Sequence, residues 1–154
     1  MTASAATPAG PAVHTDLPAS LRAPRQARQT IRTVLRSWGL TALSDSAELC
    51  ASELVANASE HSGGGPIGLT IRRHTEPGGE HGILCQVTDT APAIPEPRPA
   101  EPGSERGRGL QVVAALATTS GFTRTPAGKM AWFTLATADP GPDRQPERQA
   151  EAGR

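Results

Sequence analysis

Apolar residues change their spacing partway along the chain, and this change limits the possible folds more than any other feature. The first apolar positions recur every three or four residues: Ala27, Ile31, Val34, Leu35 and Trp38, then Ala47, Cys50, Ala51, Leu54, Val55 and Ala58. The next ones alternate: Ile67, Leu69 and Ile71, then Ile83, Cys85 and Val87. The first spacing predicts two helices with one buried face, and the second predicts two half-buried strands.

Glycine, proline and serine positions predict where these elements begin and end. Gly39 is expected to cap the C-terminus of the first helix. Ser44 or Ser46 is expected to cap the N-terminus of the second. Pro77-Gly78-Gly79 supplies a turn between the two strands.

The second half of the chain adds a helix and a hairpin. The helix is expected from about Gly109 to Thr118, and a closing hairpin from Gly121–Arg124 and Met130–Thr137. The inward positions of the helix are Leu110, Val113, Leu116 and Ala117, and Trp132 and Phe133 point to opposite faces of the hairpin. The order of elements predicts an α+β fold, a two-layer sandwich with helices on one face of a mixed, mostly antiparallel sheet.

The 154 residues fit one folded domain. Residues 1–18 are expected to form a flexible arm with a short strand near Val13 to Leu17. The domain is placed at residues 19–137. Residues 138–154 contain no large apolar side chain and are expected to be a disordered tail.

Composition excludes several classes of protein. Fifteen acidic residues balance 15 basic ones, so a broad basic face for direct nucleic-acid binding is not expected. The longest apolar run, Val112 to Ala117, is far shorter than the roughly 20 residues of a membrane span. No hydrophobic stretch precedes Arg22, so a signal peptide is not expected. Cys50 and Cys85 lie in apolar patterns, which favours core thiols in the reducing cytoplasm.

Glu53 and Asn57 are candidates for chemistry because they lie four residues apart on one face of the second helix. The carboxylate can orient or deprotonate a hydroxyl or water. The amide oxygen can bind Mg²⁺, which prefers oxygen ligands. The alternative is an incidental polar pair on a solvated face.

Two further candidates flank a long proline-rich segment. Asp89 ends a buried strand and can accept a hydrogen bond from an exocyclic amine, although Asp is also common in turns. The segment from Thr90 to Arg106 holds five prolines and is long enough to be a lid. After it, Gly107 and Gly109 open the third helix, where backbone N–H groups can approach a phosphate. Arg106 and Arg108 add positive charge, and the alternative is a flexible hinge.

The four histidines do not pair at metal-ligand spacing, so no zinc site is expected. His61 follows the Glu53/Asn57 face, but a histidine at a helix C-terminus commonly serves the helix dipole.

Together these segments resemble the GHKL (Bergerat-fold) ATPases. Glu53–His61 resembles the N-box, Val87–Pro92 the first glycine box, Arg106–Leu110 the second, and Gly128–Phe133 the closing strand. The resemblance covers about Leu21 to Leu135 and is greatest to the anti-sigma-factor-type serine/threonine protein kinases, the RsbW- and SpoIIAB-like members of the superfamily.

The resemblance implies a role for each matching residue. Glu53 is the catalytic or water-positioning carboxylate, and Asn57 is the Mg²⁺ ligand within the ATP site. Asp89 binds the adenine amino group. The second glycine box contributes the remaining ATP-binding residues, which are Arg106, Gly107, Arg108, Gly109 and Leu110.

The implied function is an ATP- and Mg²⁺-dependent regulatory kinase. It would phosphorylate a small anti-anti-sigma-type protein and sequester a sigma factor, and a homodimer is possible. Ala91 and Ala93 replace the glycines of the first glycine box, which favours ATP binding over efficient turnover. A catalytically weak, nucleotide-gated protein-binding module is therefore the alternative, and an α+β domain unrelated to ATP is a third reading.

Overall fold

The computed structural model describes residues 11–91 and 108–140. In chain order the elements are β1 (Ala12–Leu17), α1 (Ala23–Trp38), a short 3-10 turn (Thr41–Leu43), α2 (Ser44–His61), β2 (Ile67–Thr75), β3 (Glu80–Asp89), α3 (Arg108–Leu116), β4 (Thr119–Thr125) and β5 (Gly128–Pro140). Every helix and strand predicted from apolar spacing is present, with bounds that differ by a few residues.

Five strands form one sheet in the order β1-β2-β3-β5-β4. All four pairings between described strands are antiparallel, which confirms the predicted α+β sandwich with a mostly antiparallel sheet; among these strands there is no parallel pair of the kind that a mixed sheet contains. Two of these pairings, β2–β3 and β4–β5, join consecutive strands through tight turns, which only antiparallel neighbours allow. In the first of these turns Gly79 has a φ of 94°, a conformation that favours glycine.

The short strand expected near Val13 to Leu17 is present as β1, which pairs with β2 along its whole length. Leu17 is buried in the core. The sheet therefore includes part of the predicted flexible arm. At the other end β5 runs to Pro140, so residues 138–140 continue the strand instead of starting the predicted tail. The rest of the arm, 1–10, and of the tail, 141–154, lies outside the described residues.

The helices cover one face of the sheet, and the core lies between the two layers. Alternate residues of β2, β3 and β5 are buried there, including Leu69, Cys85 and Phe133. Phe133 is fully buried while Trp132, which points to the opposite face, is half-buried, as expected from the hairpin pattern. Leu116 was expected to point inward but is 39% exposed, because it is the last residue of α3 and only Val113 of that helix is fully covered.

The predicted cap of α1 is confirmed, and that of α2 is wrong. Gly39 has a φ of 72° and its N–H bonds to the end of α1. At α2 the N-cap position is Leu43, and it makes no side-chain cap hydrogen bond. The chain enters α2 directly from the 3-10 turn, so Ser44 is already helical and its hydroxyl donates to Glu48 instead.

Glu48 joins the two long helices. It is buried and accepts a hydrogen bond of 2.6 Å from Nη2 of Arg32 on α1. Burial alone would raise the pKa of Glu48, but the hydrogen bonds from Arg32 and Ser44 and the charges of Arg32 and Arg28 bring it below its ordinary value. The contact between α1 and α2 therefore contains the Arg32–Glu48 ion pair beside its apolar surface.

None of the helices formed by the described residues has the length and apolar character needed to cross a membrane.

Candidate functional site

Glu53 and Asn57 lie one turn apart on α2, and both are half-buried. The neighbouring Leu54 and Ala58 are buried against the sheet. The helix thus presents a carboxylate and an amide at the margin of the core, where a ligand can reach them and where their direction is set by the packed side of α2.

The first turn of α3 lies directly against Glu53. A Cβ added to Gly109 would lie 2.7 Å from Oε2 of Glu53, closer than atoms of this kind approach one another. With a larger residue at position 109 the carboxylate would have to move from this place. The structure therefore brings together Glu53 and Gly109, which the sequence had placed in separate motifs, and it puts the carboxylate beside a helix N-terminus.

Asp89, at the end of β3, is paired with a buried lysine. Lys129 of β5 lies opposite Asp89 in the strand register. Its Nζ donates to Oδ1 of Asp89 at 2.9 Å and lies 3.4 Å from the carbonyl oxygen of Ala91. The backbone N–H of Ala91 also donates to Oδ1 of Asp89, at 2.8 Å. Lys129 is 1% exposed and Asp89 is 6% exposed, so this is a buried ion pair.

Gly128 allows β5 to come this close to the end of β3. A Cβ at Gly128 would lie 2.7 Å from Cα of Thr90 and nearer still to the carbonyl oxygen of Asp89. These are backbone atoms, which cannot move aside as a side chain can. The small residue before Lys129 thus permits the contact that the ion pair needs.

The end of α2 meets the same end of the sheet. The hydroxyl of Thr90 donates to the carbonyl oxygen of Ser62 at 3.2 Å. A Cβ at Gly65 would lie 2.8 Å from that hydroxyl oxygen. His61 is exposed at the helix terminus, 4.0 Å from the carboxylate of Glu60. The last residues of α2 are therefore tied to the point where the chain leaves β3.

The second glycine box is described only in part. Arg106 and Gly107 lie outside the described residues, as does the predicted lid beyond Ala91. Arg108 is the first residue of α3, but its side chain also lies outside the described part. Leu110 is half-buried and packs against the core. The expected phosphate contacts of this box stay a prediction.

Lys129 is the residue that sequence reasoning missed. It is the only lysine in a chain with 14 arginines. It also lies an even number of residues before the buried Ala131, Phe133 and Leu135, so its side chain points to the same face of β5. A lone lysine at an inward-facing position of a strand needs a buried partner, and this signal could have pointed to Asp89.

The oxygens of Asn57 and Glu53 suit a hard cation such as Mg²⁺. This ion commonly takes one or two protein oxygens and completes its shell with water and substrate phosphates. Among residues 11–91 and 108–140, no group of three or more His, Cys, Asp and Glu side chains could hold a metal by itself. A magnesium ion at Asn57 would therefore be held together with the phosphates of a bound nucleotide.

A family model for the histidine kinase-like ATPase domain matches residues 17–135, well over half of the chain. A search of curated proteins finds no match. The matched range begins at the last residue of β1 and extends into β5, so it contains all three helices and the full β2–β3 hairpin. The site residues Glu53, Asn57, Asp89 and Lys129 all lie within it. The α+β fold, the antiparallel sheet with helices on one side and this match agree, and the chain belongs to the histidine kinase-like ATPase domain family.

Proposed function

We propose that the protein binds ATP with Mg²⁺ and acts as a regulatory serine/threonine protein kinase. Its acceptor is a small anti-anti-sigma-type protein, and its free form sequesters a sigma factor. Membership of the ATPase family supports the nucleotide, and the anti-sigma role extends the resemblance of the sequence motifs. The free, buried Cys50 and Cys85 suit the cytoplasm as the place of action.

The observation that carries this proposal is the contact between Glu53 and the first turn of α3. Phosphoryl transfer depends on positioning and on neutralisation of phosphate charge. In this arrangement the N-terminus of α3 attracts phosphate, and Asn57 contributes an oxygen to the metal. The carboxylate of Glu53 then stands beside the phosphates, where it can accept the proton of an attacking hydroxyl.

Asp89 is assigned to recognition of the adenine base of the nucleotide. It lies at the end of a central strand, on the helix-covered side of the sheet and away from Glu53 in the sequence. A carboxylate in this place accepts a hydrogen bond from the exocyclic amine of adenine. Such a bond to a charged group is worth roughly 1.5–3 kcal/mol.

A nucleotide-gated binding module without efficient chemistry is the second candidate. The observation that favours it lies at residue 91, at the start of the predicted lid. Ala91, in place of a glycine, donates its N–H to the same carboxylate and leaves the backbone less free at the start of the predicted lid. In this candidate the fold captures a protein partner and Glu53 performs no chemistry.

Binding is tested by calorimetric titration with ATP and Mg²⁺. Asn57→Ala should weaken binding by about tenfold or more, because one ligand to a charged group is lost. The expected fold is unchanged, since Asn57 is only half-buried. Glu60→Ala, an exposed change on the same helix, is the matched control and should bind like the parent. Equal affinity in the Asn57 variant and the parent would remove Asn57 from the site.

Chemistry is tested by single-turnover transfer from labelled ATP to candidate partner proteins. Glu53→Ala should keep ATP affinity within a few-fold and lose transfer by about 10²–10⁴-fold, the usual contribution of a positioned base. Phosphoryl transfer at the parental rate would show that Glu53 is not the general base. If neither protein transfers phosphate but both bind ATP and form a tight complex with a partner, the binding module replaces the kinase.

A further inference from the structure

The buried pair of Asp89 and Lys129 lies where β3 ends and β5 begins. Oδ1 of Asp89 receives two hydrogen bonds, from Nζ of Lys129 at 2.9 Å and from the N–H of Ala91 at 2.8 Å. These donors come from different parts of the chain, one from β5 and one from the residue that follows β3 by two. Together they prevent rotation of the carboxylate. Oδ2 is then the acceptor that the described residues leave for a ligand.

The lysine is itself held in place. It is 1% exposed, pairs across from Asp89 in the strand register, and has the carbonyl oxygen of Ala91 at 3.4 Å as a second acceptor. Gly128 keeps the two strands close at this point, because backbone atoms of Asp89 and Thr90 occupy the space of a side chain. A lysine side chain with such restricted freedom gives the carboxylate of Asp89 a defined orientation.

A buried ion pair at this position would be unusual if its role were only to stabilise the fold. Buried ion pairs are often no more stable than apolar residues of similar volume, because both charges lose their water. The neighbouring core is apolar, with Val87 and Ala131 forming the preceding register pair on the same face. An apolar pair could have continued that pattern through positions 89 and 129.

We propose that Lys129 is a positioning residue for base recognition, which holds Oδ1 of Asp89 so that Oδ2 is presented to the exocyclic amine of adenine. This inference rests on the proposed binding of ATP and extends it to the specificity of the base site. Lys129 acts through Asp89 and does not itself contact the phosphates or the reacting hydroxyl.

The test compares ATP with the triphosphate of purine riboside, whose base lacks the 6-amino group. Dissociation constants of both nucleotides with Mg²⁺ are measured on the full chain, and their ratio reports the contact to the amine. In the parent the ratio should be about ten- to a hundredfold in favour of ATP, the value of a charged hydrogen bond. Asp89→Asn should bring it close to one. Lys129→Met should lower it by at least about fivefold, because the carboxylate can then turn away.

Arg124→Met is the matched control. Arg124 lies opposite Lys129 on β4, so the variant removes a neighbouring cation, but the arginine is exposed. The ratio of the two dissociation constants measured on this variant should equal that of the parent. A purely structural lysine would weaken both nucleotides equally and leave the ratio unchanged in Lys129→Met, which would overturn the inference while ATP binding stands. A parent that binds neither nucleotide, or both equally, would instead overturn the proposed ATP site or the role of Asp89, and the inference with it.

A second measurement does not depend on the stability of a variant. Because the chain contains one lysine, a sample labelled only at the lysine side-chain nitrogen gives one NMR signal. Titration with ATP and Mg²⁺ should shift that signal, and titration with inorganic tripolyphosphate and Mg²⁺ should leave it in place. A lysine signal that ignores ATP at saturation, or that responds equally to tripolyphosphate, would contradict a role in reading the base.

Discussion

At the scale of single residues, the pair of Lys129 and Asp89 carries a large desolvation penalty, because both charges lie in the described core. Each group is almost completely removed from water, and each is balanced by the other at 2.9 Å. Removing one partner leaves an uncompensated charge, whereas removing both leaves none. The two kinds of variant should therefore differ sharply in stability.

Lys129→Met should lower the free energy of unfolding by about 3–5 kcal/mol, the usual cost of breaking a buried ion pair. The double variant Lys129→Met/Asp89→Asn should recover most of this loss, because no unpaired charge remains. Urea denaturation of the parent, the single variants and the double variant measures the coupling. A single variant within about 1 kcal/mol of the parent would mean that water reaches the pair, as at an exposed salt bridge.

At the scale of elements, the contact between α2 and α3 puts Glu53 beside the first turn of α3. The approach of Gly109 to Glu53 differs in kind from that of Gly128 to β3. At Gly109 an added Cβ would meet the end of a flexible side chain, whereas at Gly128 it would meet backbone atoms. The first obstacle can move and the second cannot, so a glycine-to-alanine change has different consequences at the two positions.

Gly109→Ala should leave the stability equal to that of the parent or raise it by up to about 1 kcal/mol, because alanine favours a helix more than glycine does. The carboxylate of Glu53 must then move, so phosphoryl transfer should fall while ATP affinity stays within a few-fold of the parent's. Thermal unfolding and the transfer assay measure the two effects on one protein. Gly128→Ala is the contrast, with an expected loss of about 1–3 kcal/mol from overpacking. A Gly109 variant with parental transfer would show that Glu53 need not lie where it does.

At the scale of the whole molecule, one apolar core between the helices and the sheet holds the domain together. Cys50 of α2 and Cys85 of β3 lie on the two sides of that core, and both are fully buried and free. Burial raises the pKa of Cys50 to about 11, with a smaller contribution from the charge of Glu53. Burial also raises the pKa of Cys85. Burial and the raised pKa values together predict slow reaction of both thiols in the folded state at neutral pH.

Both thiols should be unreactive toward a thiol reagent at pH 8 in the native protein and should react fully in denaturant. In native buffer the slow reaction should require opening of the core, and ATP with Mg²⁺ should slow it further, because a ligand of the folded state lowers the unfolded population. The time course of absorbance with a chromogenic disulfide measures this. Rapid modification of one thiol in the folded protein would place that cysteine outside the sealed core.

Local patterns determined the elements, because the spacing of apolar side chains reflects helix and strand geometry directly. The alternation of Ile83, Cys85 and Val87 is enough to predict β3, and Gly39 is enough to predict the end of α1, which its φ of 72° confirms. The site residues Glu53 and Asn57 follow from the same logic, since a separation of four residues places them on one face of α2. The N-cap of α2 was missed because the preceding turn decides whether a serine is still outside the helix.

Tertiary structure alone decided which of these residues meet. Asp89 and Lys129 are 40 residues apart, and their pairing depends on β5 lying beside β3 while β4 takes the edge. The contact of Glu53 with Gly109 depends likewise on how α3 packs against α2. The sequence by itself determined the helices, the strands and the family motifs, because these arise from neighbours along the chain. The partner of Asp89 and the surroundings of Glu53 were set by strand order and helix packing, because buried ion pairs and close contacts of this kind arise only between elements.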